Sequence, residues 1–404
     1  MISSKITIIK KIHWIKIFSI IIFSLFISCE NQIHERKLAV EKDKHFHKLN
    51  FRKIWEIEFP FIHACFPCPN GILCVEIMDR GWSEFKFHLY DYSGKLIKEK
   101  LIKSGNGPNE MRVLDYHTAW ISSGKIHFID IGSYHKILDP KSFEIKTVSK
   151  LSNVIKGYGN KYTIGKFGLT SLENSGEYII TSFESTAFHE NFTYYIAKSK
   201  ETFDDLSIIT KAKKTEPWTW YKLGESKSYT DYYGAARLDR IFTVDWERDV
   251  IYYLPNIEEP EIKSLGFDGK EKKEFILDIH FRRFEIDRDE LEFYHEYILG
   301  ETDSKIRGNF DHILHIPPHA PPLMNLKVIH NWLIIITGNR NWDTGENQAH
   351  VYKLPSLEYE GSFYIPFSNR LRIKWIDGYY ITKNLIEKKD EPHFSFSVYK
   401  IEEK

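Results

Sequence analysis

Alanine is scarce in this chain, with ten residues among 404, and cysteine and methionine number only four each. Strong helix formers are therefore few, which argues against a helical bundle or a helical solenoid. An excess of charge of either sign is also lacking, because 56 basic residues balance 56 acidic ones. Proteins that bind nucleic acid by neutralising phosphates carry a basic excess, so nucleic acid is not an expected partner.

Aromatic residues are abundant, with 28 Phe, 23 Tyr and 10 Trp, and hydrophobic residues make up 42% of the chain. Aromatic residues favour strands, and this hydrophobic content is enough to bury a sizeable core. The composition therefore excludes wholesale disorder and favours an all-β fold.

The N-terminal segment has the features of a bacterial secretory signal. Residues 1–28 contain four lysines and no acidic residue, and an apolar run of eleven residues covers 17–27. A helix needs about 20 apolar residues to span a bilayer, so this run fits the short hydrophobic region of a signal peptide.

The sequence from Leu25 to Cys29 resembles a lipobox, the lipidation motif of bacterial lipoproteins. The resemblance implies that Cys29 becomes the lipidated N-terminus. The lipid would anchor the protein in the cell envelope, and the outer membrane is the expected location. The alternative is an uncleaved anchor helix, which the bulky Phe26 and Ile27 favour. Such a helix would have to bury several lysines, which is costly.

Two regions follow the signal peptide. Residues 29–50 are rich in charge and are expected to form a flexible tether. Residues 51–404 contain six clusters of strand-like runs separated by Gly- and Asn-containing turns. Repeats of this kind, about 40–70 residues long, indicate a six-bladed β-propeller. A pair of β-sandwiches is the competing architecture.

The two ends of the domain suggest how the ring closes. The last cluster supplies only three strands, whereas Phe51 to Phe59 forms a strand that belongs to no cluster. We predict that this strand pairs antiparallel with Phe394 to Ile401 as the outermost strand of the sixth blade, which removes an exposed edge. One helix is predicted over 287–299, between clusters four and five, where apolar residues recur at helical spacing.

Histidine and cysteine clusters offer candidate chemistry. His312, His315 and His319 lie within eight residues, and His315 and His319 share one face of an extended strand. The segment is expected to lead into the inner strand of the fifth blade, so His315 and His319 are candidates for a metal site in the central funnel, beside a structural role. Cys65, Cys68 and Cys74 could form a local disulfide or a zinc site, or could act as small buried hydrophobic residues.

Two loops contain aromatic and arginine side chains of the kind that dominate binding hot spots. The first is the long connection over 211–234 and the second surrounds 339–345. The candidate binding residues are Trp218, Trp220, Tyr221, Arg340 and Trp342. Ordinary packing of the loops onto the propeller is an equally good interpretation.

A Gly-rich element connects the first two clusters. Gly105-Asn-Gly-Pro-Asn-Glu110 is followed by the strand Gly124-Lys-Ile-His-Phe-Ile-Asp130. Its glycines suit a tight connection in which Glu110 accepts hydrogen bonds from backbone N–H groups, although an anion-binding nest is also conceivable.

Together these elements resemble the TolB-like six-bladed propeller lipoproteins of Gram-negative bacteria, with His127 where that family more often has Tyr. The resemblance implies the fold and the lipid anchor but not the activity, because one propeller hosts many functions. We expect a binding or scaffolding module for a protein or glycan ligand, without a cofactor. The alternative is a lactonase-like or lyase-like enzyme with a metal in the funnel.

Overall fold

The structure is a computed structural model of the chain. It describes residues 44–59, 62–79, 83–112, 114, 118–130, 134–150, 169–184, 193–200, 206–213, 219–223, 226–230, 242–256, 259–276, 310–313, 323–341, 344, 346–366, 373–376, 378–386 and 393–404. All the strands belong to one unit, Phe46–Leu277 with Phe281–Lys404. Of the second unit, Met1–His45 with Asp278–His280, only Lys44 and His45 are described.

The described strands of this unit form six four-stranded antiparallel sheets and one three-stranded sheet. The first strand is β1 (Leu49–Phe59), which belongs to the last blade. Blade 1 contains β2 (Ile62–Cys68), β3 (Gly71–Ile77), β4 (Glu84–Tyr90) and β5 (Leu96–Lys103). Blade 2 contains β6 (Trp120–Ser122), β7 (Lys125–Ile129), β8 (Tyr134–Asp139) and β9 (Glu144–Lys150). Blade 3 contains β10 (Leu169–Asn174), β11 (Tyr178–Glu184), β12 (Thr193–Lys200) and β13 (Ser207–Lys213).

The remaining strands complete three blades and an additional sheet. The accessory sheet consists of β14 (Thr219–Leu223), β15 (Ser226–Thr230) and β20 (Phe310–Ile313). Blade 4 contains β16 (Phe242–Asp245), β17 (Val250–Tyr253), β18 (Glu261–Gly266) and β19 (Glu271–Ile276). Blade 5 contains β21 (Leu323–Ile329), β22 (Trp332–Asn341), β23 (Glu346–Lys353) and β24 (Glu358–Pro366). Blade 6 contains β25 (Ile373–Ile376), β26 (Tyr379–Ile386), β27 (His393–Glu403) and β1.

Blades 1 to 5 are antiparallel meanders, blade 6 combines three C-terminal strands with β1, and the six blades form the propeller that the sequence predicts. Short turns with the expected chemistry connect the strands. Between β6 and β7, Ser123 and Gly124 both adopt positive φ, at 52° and 71°. A two-residue turn of this kind matches the twist of the flanking strands, and glycine adopts the conformation without steric cost.

Strand β1 closes the ring, as predicted. It pairs antiparallel with β27 from Leu49 opposite Glu403 to Phe59 opposite Phe394, with one irregularity between Lys53 and Trp55. The order β1-β27-β26-β25 makes β1 the outermost strand of blade 6. The backbone groups along that side of β27 are therefore paired with β1 rather than exposed as a free edge.

Aromatic side chains on β1 also pack against both neighbouring blades. Trp55 is buried, and its ring lies 5.8 Å from that of Tyr90 in blade 1. Phe51 stacks on Phe363 of blade 5 at 5.6 Å and contacts the Tyr380 ring of blade 6 at 5.7 Å. One N-terminal strand thus links three consecutive blades.

The packed part of the chain extends to Phe46, which lies inside the segment 29–50 that the sequence assigns to a tether. Phe46 is buried, and its N–H donates to the carbonyl of Ser362 in blade 5. The helix predicted over 287–299 lies outside the described residues. Within the portion that is described, no helix combines the length and the apolar character that crossing a bilayer requires.

Candidate functional site

The first strands of the blades converge at the centre of the ring. The Trp375 indole N–H on β25 donates to Asn325 Oδ1 on β21 at 3.0 Å. The Val328 N–H on β21 donates to Thr243 Oγ1 on β16 at 2.9 Å. Because these contacts join the first strands of three blades, β16, β21 and β25 are the inner strands of blades 4, 5 and 6. The last strands lie at the periphery, as the exposed β5 illustrates.

An ion pair joins the inner strands of two blades that are not neighbours. Lys327 Nζ on β21 lies 2.9 Å from both carboxylate oxygens of Glu173 on β10. Thr243 Oγ1, on the inner strand of the blade between them, donates to Glu173 Oε1 at 3.2 Å. The network therefore joins the first strands of blades 3, 4 and 5.

Burial shows what this network does. The Glu173 side chain is only 6% exposed and Lys327 is 19% exposed. A buried carboxylate needs charge and hydrogen-bond partners, and Glu173 obtains them from Lys327 and Thr243. Glu173, Thr243 and Lys327 thus pair with one another across three blades, and these contacts stabilise the arrangement of blades 3, 4 and 5.

The accessory sheet is formed by two insertions that are distant in the sequence. The first lies between β13 and β16, and the second between β19 and β21. Strand β14 pairs with β15 along its length and with β20 at Tyr221↔Ile313 and Leu223↔Phe310. Every connection from one blade to the next runs from an outer strand to an inner strand, so both insertions emerge on the same face of the ring.

The sheet brings together two regions that the sequence suggests separately. Trp220 and Tyr221, candidate binding residues, lie on β14, while His312 lies on β20. The sequence places His312 at the start of blade 5, whereas the structure places it in the accessory sheet. That expectation was wrong because β20 pairs with β14 and the inner strand of blade 5 begins only at Leu323.

The other candidate residues are distributed as follows. Arg340 lies on β22, opposite Asn347 on β23, so this loop is shorter than the sequence suggests. Several candidates lie outside the described residues: Cys29, Trp218, His315, His319 and Trp342.

The Gly-rich element lies between β5 and β6, where it connects blades 1 and 2. Glu110 Oε2 accepts the Gly107 N–H at 2.8 Å, as the structural interpretation of the element predicts. A Cβ atom at Gly105 would collide with the Glu110 carboxylate. The carboxylate therefore fills the space that an anion would occupy in a nest, and the element acts as a tight connection.

A buried lysine fixes this connection to blade 2. Lys136 Nζ donates to the carbonyls of Glu110 at 2.6 Å and Gly105 at 3.3 Å. It also lies 3.4 Å from Asp130 Oδ2, and both side chains are fully buried. Burial lowers the pKa of Lys136, while Asp130 opposes that shift.

Buried histidines form a second polar feature in the blades. His127 Nδ1 lies 3.2 Å from His135 Nε2, and the Trp120 ring stacks on His135 at 5.1 Å. The pKa of His135 is lowered to about 3, chiefly because the side chain is buried and to a smaller extent because His127 lies beside it. His350 on β23 is buried beside the Tyr359 hydroxyl, and burial lowers its pKa to about 4.

These two pKa values predict acid sensitivity. Between about pH 6.5 and pH 4 the unfolded chain binds protons at His135 and His350 that the folded chain excludes. The free energy of unfolding therefore falls as the pH falls, by about 1.4 kcal/mol per pH unit for each histidine. Urea denaturation at several pH values between 7 and 5 measures this slope.

A pair of variants separates this effect from the titration of other groups. His350→Gln should reduce the slope between pH 6 and 5 by about 1.4 kcal/mol per pH unit. His330→Gln, at a position where the side chain is 60% exposed, controls for the exchange of a histidine for an uncharged amide at the surface. Equal slopes for His350→Gln and the wild type would contradict the assignment.

The three cysteines of blade 1 are all buried. Burial raises the pKa of Cys68 to about 12 and also raises the pKa of Cys74. Among the positions that the structure describes, no cluster of three or more His, Cys, Asp or Glu side chains could hold a metal ion.

Comparison with protein-family models and with curated proteins finds no match to this chain.

Proposed function

We propose that this chain is a lipid-anchored, extracytoplasmic propeller of the TolB-like kind, which binds a protein or glycan ligand at the face that carries the accessory sheet. One observation carries the proposal: two insertions pair with each other, β14 with β20, on one face of an otherwise regular ring. A propeller needs only short connections between its blades, so long insertions that fold together add a surface beyond the scaffold.

The residue types in these strands support a binding role. Strand β14 has the sequence Thr-Trp-Tyr-Lys-Leu, and Trp220 and Tyr221 stand at its centre. Aromatic residues supply most of the energy of protein interfaces, and their ring faces also suit sugars. The neighbouring β20 contributes Asp311 and His312, which can form hydrogen bonds with a polar ligand.

The accessory sheet can be tested by substitution. We expect the double variant Trp220→Ala/Tyr221→Ala to weaken ligand binding by at least about tenfold, because truncation of a hot-spot aromatic costs roughly 2 kcal/mol or more. The ligand is first identified by chemical cross-linking in intact envelopes or by co-sedimentation with envelope polysaccharides. Its affinity is then measured for both proteins.

Tyr364→Ala provides the matched control. Tyr364 is half exposed on β24, the outer strand of blade 5, and it is absent from the accessory sheet. Its removal should leave the affinity unchanged. Weaker binding by the control, with normal binding by the double variant, would locate the ligand elsewhere on the ring.

The proposed anchor has its own test. Cys29→Ser removes the only thiol near the end of the apolar run over 17–27, so the variant should remain unlipidated. It should then be released from the membrane fraction even when no detergent is added. Cell fractionation and intact-mass measurement of the purified protein provide the comparison. Retention of the variant in the membrane with Met1 still attached would instead show an uncleaved anchor.

The contacts of the Glu173 carboxylate favour a binding function over that of a metal-dependent hydrolase or lyase. Glu173, an acidic side chain on the first strand of blade 3, forms an ion pair with Lys327 and accepts a hydrogen bond from Thr243. A carboxylate neutralised in this way is a poor metal ligand, because a metal would have to displace a buried ammonium group. Elemental analysis with about one metal ion per chain, lost in His315→Ala/His319→Ala, would favour the enzyme.

A further inference from the structure

We propose that Cys65 and Cys74 form a disulfide across the first hairpin of blade 1. The two residues stand directly opposite each other on β2 and β3, and their sulfur atoms lie 3.0 Å apart. Directly paired residues of antiparallel strands have Cα atoms about 4.5–5.5 Å apart, and a disulfide needs about 4.4–6.8 Å. The backbone therefore does not have to move for the bond to form.

Strand geometry selects this pair over the local alternative that the sequence suggests. Cys65 and Cys68 are three residues apart on β2, so their side chains point to opposite faces of the sheet. Cys68 stands opposite Gly71 at the hairpin turn, and its thiol donates to the carbonyl of Phe66 at 3.5 Å. Cys68 therefore remains a thiol in this proposal.

The chemistry also sets when the bond forms. Two thiols lose two protons and two electrons, and a disulfide donor, either a protein or a small molecule, accepts the electrons and becomes a dithiol. The thiolate is the reactive form, and burial raises the pKa of Cys74 in the folded blade. Both side chains are also fully buried. Oxidation is therefore expected before blade 1 packs against its neighbours, while both thiols are accessible.

The sequence allows a direct test. Hydroxylamine cleaves Asn–Gly bonds, of which the sequence has two: Asn70–Gly71 lies between Cys68 and Cys74, and Asn106–Gly107 follows all three cysteines, so Cys74 lies on the fragment 71–106. The full-length protein is expressed with its leader, and the cells are lysed in denaturant with an alkylating agent, so that buried free thiols are also blocked. The alkylated chain is then cleaved without reductant. The Cys65–Cys74 bond should keep the fragments before and after Asn70 joined, and reduction should separate them.

Single variants identify the partners. Cys68→Ser should retain the joined fragments, whereas Cys65→Ser and Cys74→Ser should lose them. Because the chain is denatured before cleavage, the result does not depend on whether a variant stays folded. Separate fragments from the unreduced wild type would overturn the proposal, as would their separation in Cys68→Ser. The outcome is independent of ligand binding, so it leaves the proposed function to its own tests.

Discussion

A protein that lacks Leu49–Phe59 is expected to lose its cooperative unfolding transition. Removal of β1 exposes the edge of β27 and removes Trp55 and Phe51 from contacts with blades 1, 5 and 6. Truncation of a single buried Trp costs about 3–5 kcal/mol, and a typical domain is stable by only about 5–15 kcal/mol. The loss of the whole strand should exceed the stability of the ring, which calorimetry and near-UV circular dichroism would show.

Deletion of residues 30–43 is the matched control, since it shortens the same end of the chain and stops before Phe46. We expect its melting temperature to stay within about 2 °C of the parent protein, because a change of 1 kcal/mol shifts a large domain by only about 2–4 °C. A cooperative transition at the parent temperature after deletion of β1 would show that blade 6 is stable with three strands.

The second large effect is expected at Lys136. Lys136→Met leaves Asp130 buried without its counter-ion and removes the donor from the carbonyls of Gly105 and Glu110. Breaking a buried ion pair from one side costs about 3–5 kcal/mol. Denaturation in urea should show a loss of this size. The exposed Lys146 on β9 supplies the control, since Lys146→Met should change stability by less than about 0.5 kcal/mol.

A double variant separates the charge effect from the loss of packing. Asp130→Asn keeps Oδ1, the atom that accepts the Tyr134 N–H, and removes the negative charge. Lys136→Met/Asp130→Asn should therefore recover about 1–3 kcal/mol relative to Lys136→Met alone. Strictly additive losses in the two single variants would show that the ion pair contributes little.

The blade count and the closure could be predicted because both leave a mark in the sequence. The sequence shows six clusters of strands, of which the last has only three, and one unassigned strand before them. The last blade therefore needs a fourth strand, and β1 supplies it by pairing with β27. The contact of Glu110 with its Gly-rich element was also predictable, because that contact is local and its residues suit a tight turn.

Other features could not be predicted because they depend on contacts between distant segments. Strand β10 has no clear signal in the sequence, since Leu169–Asn174 contains polar residues and lacks a clear apolar alternation. The pairing of β14 with β20 joins short strands that are far apart in the chain, and neither strand identifies its partner by composition. The same holds for Glu173 and Lys327, which meet only after three blades have assembled.

The cysteines show how register decides between chemical alternatives. The spacing of Cys65 and Cys68 suggests a local pair, whereas alternation along β2 separates their side chains and the hairpin register places Cys74 opposite Cys65. Register follows from the turn at Pro69 and Asn70 together with the buried face of the sheet.

The most direct test of the binding face is site-specific photo-crosslinking in living cells. A photoreactive amino acid replaces Trp220 on β14 in one protein and Tyr364 on β24 in another. We predict a discrete adduct at position 220 and none at position 364, with protease or periodate sensitivity showing whether the ligand is a protein or a glycan. A discrete adduct at position 364, with none at position 220, would contradict the assignment of the accessory sheet as the binding surface.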